Sequence, residues 1–182
     1  MGKIYETIDD DLAEWIRRQK MFFVATAPLS AAAHINCSPK GGDTFRVIGP
    51  REVAYLDLTG SGIETVAHVQ ENGRIVIMLC AFDGAPKIVR LHGKANVVYP
   101  GDSEFDRLRP LFLPHEGARA IVKVKVARVS DSCGYAVPRF DFVGPRDVLD
   151  KWTERKSADE LSAYRQAKNS NSVDGLPGYK NS

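Results

Sequence analysis

Val53-Ala54-Tyr55-Leu56-Asp57-Leu58-Thr59-Gly60-Ser61-Gly62-Ile63-Glu64-Thr65 is the stretch on which the fold turns. Its apolar first half predicts a strand over 53–58. Its second half opens a helix over 63–71, with Ile63, Val66 and Ala67 on one face. The small residues between them form a turn whose backbone N–H groups point along the helix axis. That end carries partial positive charge and suits a phosphate. Ser61 and Glu64 also match an S-x-x-E capping box, with which any helix can begin. The turn has no lysine of the P-loop kind, and only its surroundings say whether it belongs to a doubly wound nucleotide-binding sheet.

Those surroundings are rich in strands. Upstream, Asp9-Asp10-Asp11 begin a helix with Leu12, Trp15 and Ile16 on one stripe, which ends near 17–20. Strands follow over 21–26 and 33–38, a turn over 39–43, and a short strand over 44–48. Downstream, Asn72-Gly73 breaks the chain before its most apolar run, 74–82. A turn over 83–86 leads to a partly alternating strand over 87–95. Asp102-Ser103-Glu104 open another helix, with Phe105, Leu108, Leu111 and Phe112 on its inner side. The last long strand covers 120–130, with Lys123 and Lys125 on a solvated face. Two helices are predicted over 146–156 and 157–168, the second capped by Ser157 and Glu160, and 169–178 is dense in turn residues. Six or seven strands, mostly consecutive and joined by short turns, predict a mainly β fold. An antiparallel sheet closes into a barrel and helices flank it. Residues 1–182 form one domain, with 135–182 as a helical C-terminal extension.

Composition narrows the function. A net charge of +2 over 182 residues argues against duplex nucleic acid or an anionic membrane as partner. No apolar run reaches the roughly 18 residues of a membrane span, and the N-terminus lacks the apolar core of a signal peptide. Cys37, Cys80 and Cys133 are odd in number and far apart. They are expected to be free thiols in a reducing cytoplasm. His34, His68, His92 and His115 show no ligand spacing with them, so no metal site is expected.

An ordered series of segments adds a resemblance: His34-Ile35-Asn36-Cys37-Ser38-Pro39-Lys40-Gly41, then Tyr55 to Gly62, Glu64-Thr65, Asn72-Gly73-Arg74, and Lys87-Ile88-Val89-Arg90-Leu91-His92-Gly93. Over roughly residues 10 to 135 the chain resembles the pyridoxamine 5′-phosphate oxidase-like flavoproteins, the FMN-binding split barrels. The tail, with Cys133-Gly134-Tyr135 and Asn171 to Gly178, looks like one branch of that family. The resemblance implies a homodimer with FMN at the subunit interface. It places Asn36, Ser38 and Lys40 along one side of the cofactor, and Leu58, Thr59, Ser61 and Thr65 near its ribityl chain or phosphate.

The chain also departs from the pattern. Where the oxidases proper carry an Arg-Lys pair for the phosphate, this sequence has Glu64 and Thr65. The charge must then come from Lys40, Arg90 or Lys87. The oxidase tail motif for the substrate phosphate is absent, so pyridoxamine phosphate is not the expected substrate. Arg90, mid-strand among apolar residues, needs a carboxylate across the sheet or a cofactor oxyanion. The expected activity is that of a flavin-dependent oxidoreductase on an unidentified small molecule, with hydride chemistry carried by the cofactor. Other readings on the same barrel are a deazaflavin F420 protein, a haem protein using His34 or His92, and a flavin-binding protein without catalysis.

Overall fold

The computed structural model describes residues 2–179. Eight strands form one antiparallel sheet: β1 (Ile4–Tyr5), β2 (Phe22–Thr26), β3 (Asn36–Lys40), β4 (Phe45–Gly49), β5 (Glu52–Leu58), β6 (Arg74–Cys80), β7 (Ile88–Val98) and β8 (Ala118–Ser132). The sheet runs β3-β2-β6-β7-β8-β5-β4, and β1 pairs with β8. It curls around a core of Val24, Tyr55, Ile77, Leu79, Val89, Leu91, Val122 and Val124. Helix α1 (Asp10–Arg18) buries Leu12 and Ile16 against that core. Asp9 caps it through a 2.9 Å bond from the Leu12 N–H.

The sheet does not close, as the split-barrel resemblance implies and contrary to what the strand pattern alone predicts. β3 and β4 are its two edges, and the Gly41–Thr44 link bends the chain from one to the other instead of pairing them. Gly42 at φ +71° and Asp43 at φ +55° make that bend. The Leu56 N–H donates to the Thr44 carbonyl at 2.9 Å, extending the β4–β5 ladder by one residue, and across the gap Lys40 Nζ on β3 reaches Asp57 on β5 at 3.1 Å. The result is a split barrel.

Four local expectations are corrected. The second strand lies at 36–40 rather than 33–38. Its register on β2 pairs Phe22 with Lys40 and Thr26 with Asn36, and Pro39 is tolerated because β3 is an edge. The helix of 63–71 is α2 (Glu64–Asn72), and Ile63 occupies the N-cap without a side-chain bond. The Ser61–Glu64 capping box does not form, since Glu64 is already the first helical residue and folds its carboxylate over Gly62. Leu111 is 44% exposed, because α3 (Ser103–Leu108) gives way to a 3₁₀ turn over Arg109–Leu111 that rotates it outward. Phe105, Leu108 and Phe112 do face the core. Lys123 is not solvated either: Glu104 at 2.9 Å and Glu52 at 3.3 Å hold its ammonium.

The C-terminal extension forms α4 (Val148–Glu154) and α5 (Ala158–Asn169), and the Ser157–Glu160 capping box is present. His115 ties α4 to the barrel, with Nε2 on Asp150 at 2.8 Å and Nδ1 accepting from the Gly117 N–H at 2.9 Å. All three cysteines are free thiols; Cys80 is buried, and Cys37 and Cys133 are exposed.

Candidate functional site

Edge strand β3 and the first turn of α2 meet in a polar cluster. Asn36 Nδ2 donates to Thr65 Oγ1 at 2.9 Å and to Thr26 Oγ1 at 3.3 Å. The Ser38 hydroxyl donates to Asn36 Oδ1 at 3.0 Å. Thr26 Oγ1 lies 3.0 Å from His68 Nδ1. His68 is fully buried, and Nε2 has no partner among the described residues. The local fold explains the meeting. Thr65 and His68 lie three apart on α2, on the face turned to the sheet, while Asn36 and Ser38 alternate along β3.

A second cluster lies beside it. Asp57 on β5 is 1% exposed and is held by two cations, Arg119 Nε at 2.6 Å and Lys40 Nζ at 3.1 Å. Burial by itself would raise this carboxyl. The Arg119 and Lys40 charges and hydrogen bonds outweigh burial and hold it below the usual value. Arg119 also donates to Asn169 Oδ1 at 2.8 Å, and Asn169 Nδ2 donates to the Gly60 carbonyl at 3.0 Å. The end of α5 is thereby fastened to the strand-to-helix turn. Arg165, one turn back, donates to Thr59 Oγ1 at 2.9 Å and to the Ala118 carbonyl. Thr59, almost fully buried, donates to the Gly117 carbonyl at 2.8 Å.

The segment after α5 then crosses α2. Gln70 donates to the carbonyls of Pro177 and Gly178. Asp174 takes His34 through both its backbone N–H and its ring Nδ1. The His34 side-chain and backbone bonds hold the Asp174 carboxyl below its ordinary value.

The residues expected at a cofactor therefore fall into three groups. Asn36, Ser38 and Thr65 come together. Lys40, Leu58, Thr59 and Ser61 stand along the adjoining end of β5 and the turn, but Lys40 is engaged by Asp57 and Thr59 by Gly117 and Arg165. Lys87 and Arg90 are not brought to this rim. The row through Asn36, Thr26 and Ile75 reaches β7 at Gly93. Arg90 is three residues, about 10 Å, along that strand, and Lys87 about 20 Å. Lys87 Nζ sits 3.9 Å from Asp131 and over the Tyr5 and Trp15 rings. Arg90 donates to Ser132 Oγ at 2.9 Å.

Sequence reasoning missed Asp57, Arg119, Asn169 and Arg165. One signal was available: a carboxylate inside Tyr55-Leu56-Asp57-Leu58 requires a buried cation. Arg165 and Asn169 gave none, because their partners are brought near only by the docking of α5.

A family model described as pyridoxamine 5′-phosphate oxidase matches residues 8–133. A pyridoxamine 5′-phosphate oxidase family protein of Aspergillus flavus, ustO, is 40% identical over 197 aligned positions, covering 98% of this chain and 78% of the relative. Among solved structures, a variant of HupZ from Group A Streptococcus superposes with a TM-score of 0.53 at 20% identity, over 69% of this chain and 99% of that one. A candidate pyridoxamine 5′-phosphate oxidase of Lactobacillus delbrueckii gives 0.52 at 16% identity, over 70% and 98%. At such identities the two structures speak for the fold alone. The split antiparallel sheet, the family match over most of its length and a relative alike along nearly the whole chain converge: this chain belongs to the pyridoxamine 5′-phosphate oxidase family.

Proposed function

We propose that the protein is a cytoplasmic flavoprotein, a homodimer that holds FMN at its subunit interface and acts as an oxidoreductase on a small molecule. The observation that carries this reading is the convergence of Asn36, Ser38 and Thr65 on one rim of the barrel. With the Asn36 N–H groups and the Ser38 proton engaged within the cluster, the rim presents the Thr65 hydroxyl as donor and the Asn36 and Ser38 oxygens as acceptors to the heteroatom edge of a flavin ring. Leu58, Thr59 and Ser61 continue the rim along the turn, where a ribityl chain would run. The turn suits the phosphate less well. The Glu64 carboxylate lies over Gly62, and Lys40 is already engaged by Asp57. Arg165, whose acceptors here are neutral, brings positive charge to Thr59.

When bound, the flavin would supply hydride chemistry at its ring. The chain's own part is to orient that ring. Asn36 is fixed by three hydrogen bonds, so its amide is preorganised rather than mobile. No side chain is assigned as catalytic acid or base.

The test is the visible absorption spectrum of the purified protein, with mass analysis of whatever denaturation releases. FMN, together with oxidation of reduced nicotinamide at that flavin and a dimer by light scattering, is the expected result. A deazaflavin or haem would replace the chemistry on the same barrel. Bound FMN that reacts with no electron donor or acceptor would leave a binding protein. A colourless protein that takes up no added FMN would overturn the reading.

A further inference from the structure

Helix α1 and edge strand β4 enclose a second opening of the split sheet. The two elements run antiparallel and are pinned together at both ends. The Ile8 N–H donates to the Pro50 carbonyl at 2.8 Å, and a Cβ at Gly41 would stand 3.3 Å from the Lys20 carbonyl. Between the pins lies a cleft of about 750 Å³. None of its lining residues belongs to the rim of Asn36, Ser38 and Thr65.

The floor is apolar. Ile16, Phe22 and Leu79 reach it from the core, and Phe45 and Val47 line its β4 side. The same wall carries an unused backbone donor. The register pairs Thr44 with Leu56 and Arg46 with Ala54, and the Leu56 N–H donates to the Thr44 carbonyl. Those two positions therefore exchange hydrogen bonds with β5, and the backbone groups of Phe45, between them, point to the opposite side. Arg46 Nη1 takes the Phe45 carbonyl there at 2.8 Å. Among the described residues the Phe45 N–H has no acceptor, because β4 pairs with β5 alone. A half-buried donor of this kind wants a partner.

Most charges at the mouth are already matched. Arg46 forks onto both oxygens of Asp43 at 2.9 Å, and Arg17 pairs with Glu14. Lys20, at the Gly41 end, is different. Among the described residues no carboxylate lies within ion-pair distance of it, and its ammonium faces the Phe142 ring at 5.6 Å. Asp10 belongs to the far end of α1, more than about 12 Å along the helix. The cleft thus offers one free cation and one free N–H on the same side, above an apolar run between helix and strand.

We propose that this cleft binds a monocarboxylate with an aliphatic chain, of the medium-chain fatty acid class. The carboxylate accepts from the Lys20 ammonium and the Phe45 N–H, and the chain lies on Ile16, Val47 and Leu79. A single negative charge is the match. A phosphate dianion would bring a second charge beside Asp43 with no second cation to meet it, and an alcohol would leave Lys20 unmatched. The inference goes beyond the flavin reading and does not rest on it.

The experiment is calorimetric titration of the purified full chain with octanoate and, separately, with 1-octanol. Wild type should take one octanoate per chain saturably. Lys20→Gln should weaken octanoate about threefold or more and leave 1-octanol unchanged. Ala13→Phe, which fills the cleft from α1, should abolish both. Lys151→Gln, at an exposed α4 cation paired with Asp147, should change neither.

Thermal unfolding shows whether Ala13→Phe folds. If it does not, Lys20→Gln, at an exposed position, and the Phe45 amide resonance of wild type still decide. That resonance should move as octanoate saturates the protein. Absence of saturable octanoate binding by wild type, an equal effect of Lys20→Gln on both ligands, retained binding by a folded Ala13→Phe, or a Phe45 amide that does not move overturns the proposal.

Discussion

Two groups of cations in this barrel make opposite use of the same side chains. Lys40 and Arg119 converge on Asp57 inside the split, where each charge has a partner and each remaining polar atom of the group has a hydrogen bond to find. Arg90, Arg128 and Lys94 stand on the outside of the same sheet, and among the described residues none of them pairs with a carboxylate. The first group is structural. It fastens β3 to β5 across an unpaired gap and, through Asn169, recruits α5. The second finds only neutral acceptors, the Asn72 carbonyl for Lys94 at 2.7 Å and the Ser132 hydroxyl for Arg90 at 2.9 Å.

The largest effect that would break this comparison is expected at Asp57. Asp57→Ala leaves two cations facing a void and should cost about 3–5 kcal/mol, read as a fall in the urea midpoint. Should it cost less than 1 kcal/mol, Lys40 is not structurally committed and returns as a candidate for the cofactor phosphate. The acid limb of stability gives the same answer by titration. The Asp57 carboxyl is lowered in the folded protein, so its contribution is complete above the unfolded value of about 4 and disappears as pH falls through the lower folded value. Urea unfolding between pH 7 and pH 2.5 should show that loss in wild type, and Asp57→Asn should flatten it.

Asn169→Ala comes next. It removes the acceptor of Arg119 and the donor to the Gly60 carbonyl, at a cost of about 1–3 kcal/mol. Limited proteolysis should then cut near α5 while the barrel remains intact. Retained protection there would mean that the extension is held by other contacts. The smallest effect belongs to the outer group, where Arg128 faces His92 across β7 and β8. Arg128→Gln should stabilise the ligand-free protein by a few tenths of a kcal/mol at low salt and by nothing measurable at 1 M salt, where screening has already removed the repulsion.

How far the sequence is legible depends on the range over which each decision is made. The strand positions follow from local apolar patterning, and six of the seven long strands fall where that patterning puts them; β3 is displaced because its bounds depend on the register with β2. The Ser157–Glu160 box is local and is present, whereas Ser61 and Glu64, at the same spacing, fail because the N-cap falls two residues later, at Ile63. That Asn36, Ser38 and Thr65 meet was legible because the family resemblance already orders those segments. The assignment of Lys40 was not. A lysine in Pro39-Lys40-Gly41-Gly42 looks solvent-facing until β5 brings Asp57 beside it.

By itself, then, the sequence determined a mainly antiparallel sheet with flanking helices, the strand-to-helix turn at 59–65 and a flavoprotein-like order of segments, since hydrophobic period and turn residues act within a few positions of one another. The split of the barrel was legible through the family resemblance and not through the strand pattern, and only the tertiary structure decided that α5 docks on the turn and which cations are spoken for. Those outcomes rest on pairs such as Asp57 with Arg119 and Thr59 with Arg165, separated by 62 and 106 positions. The sign and partner of a charge at such range are set by packing, which no local pattern encodes.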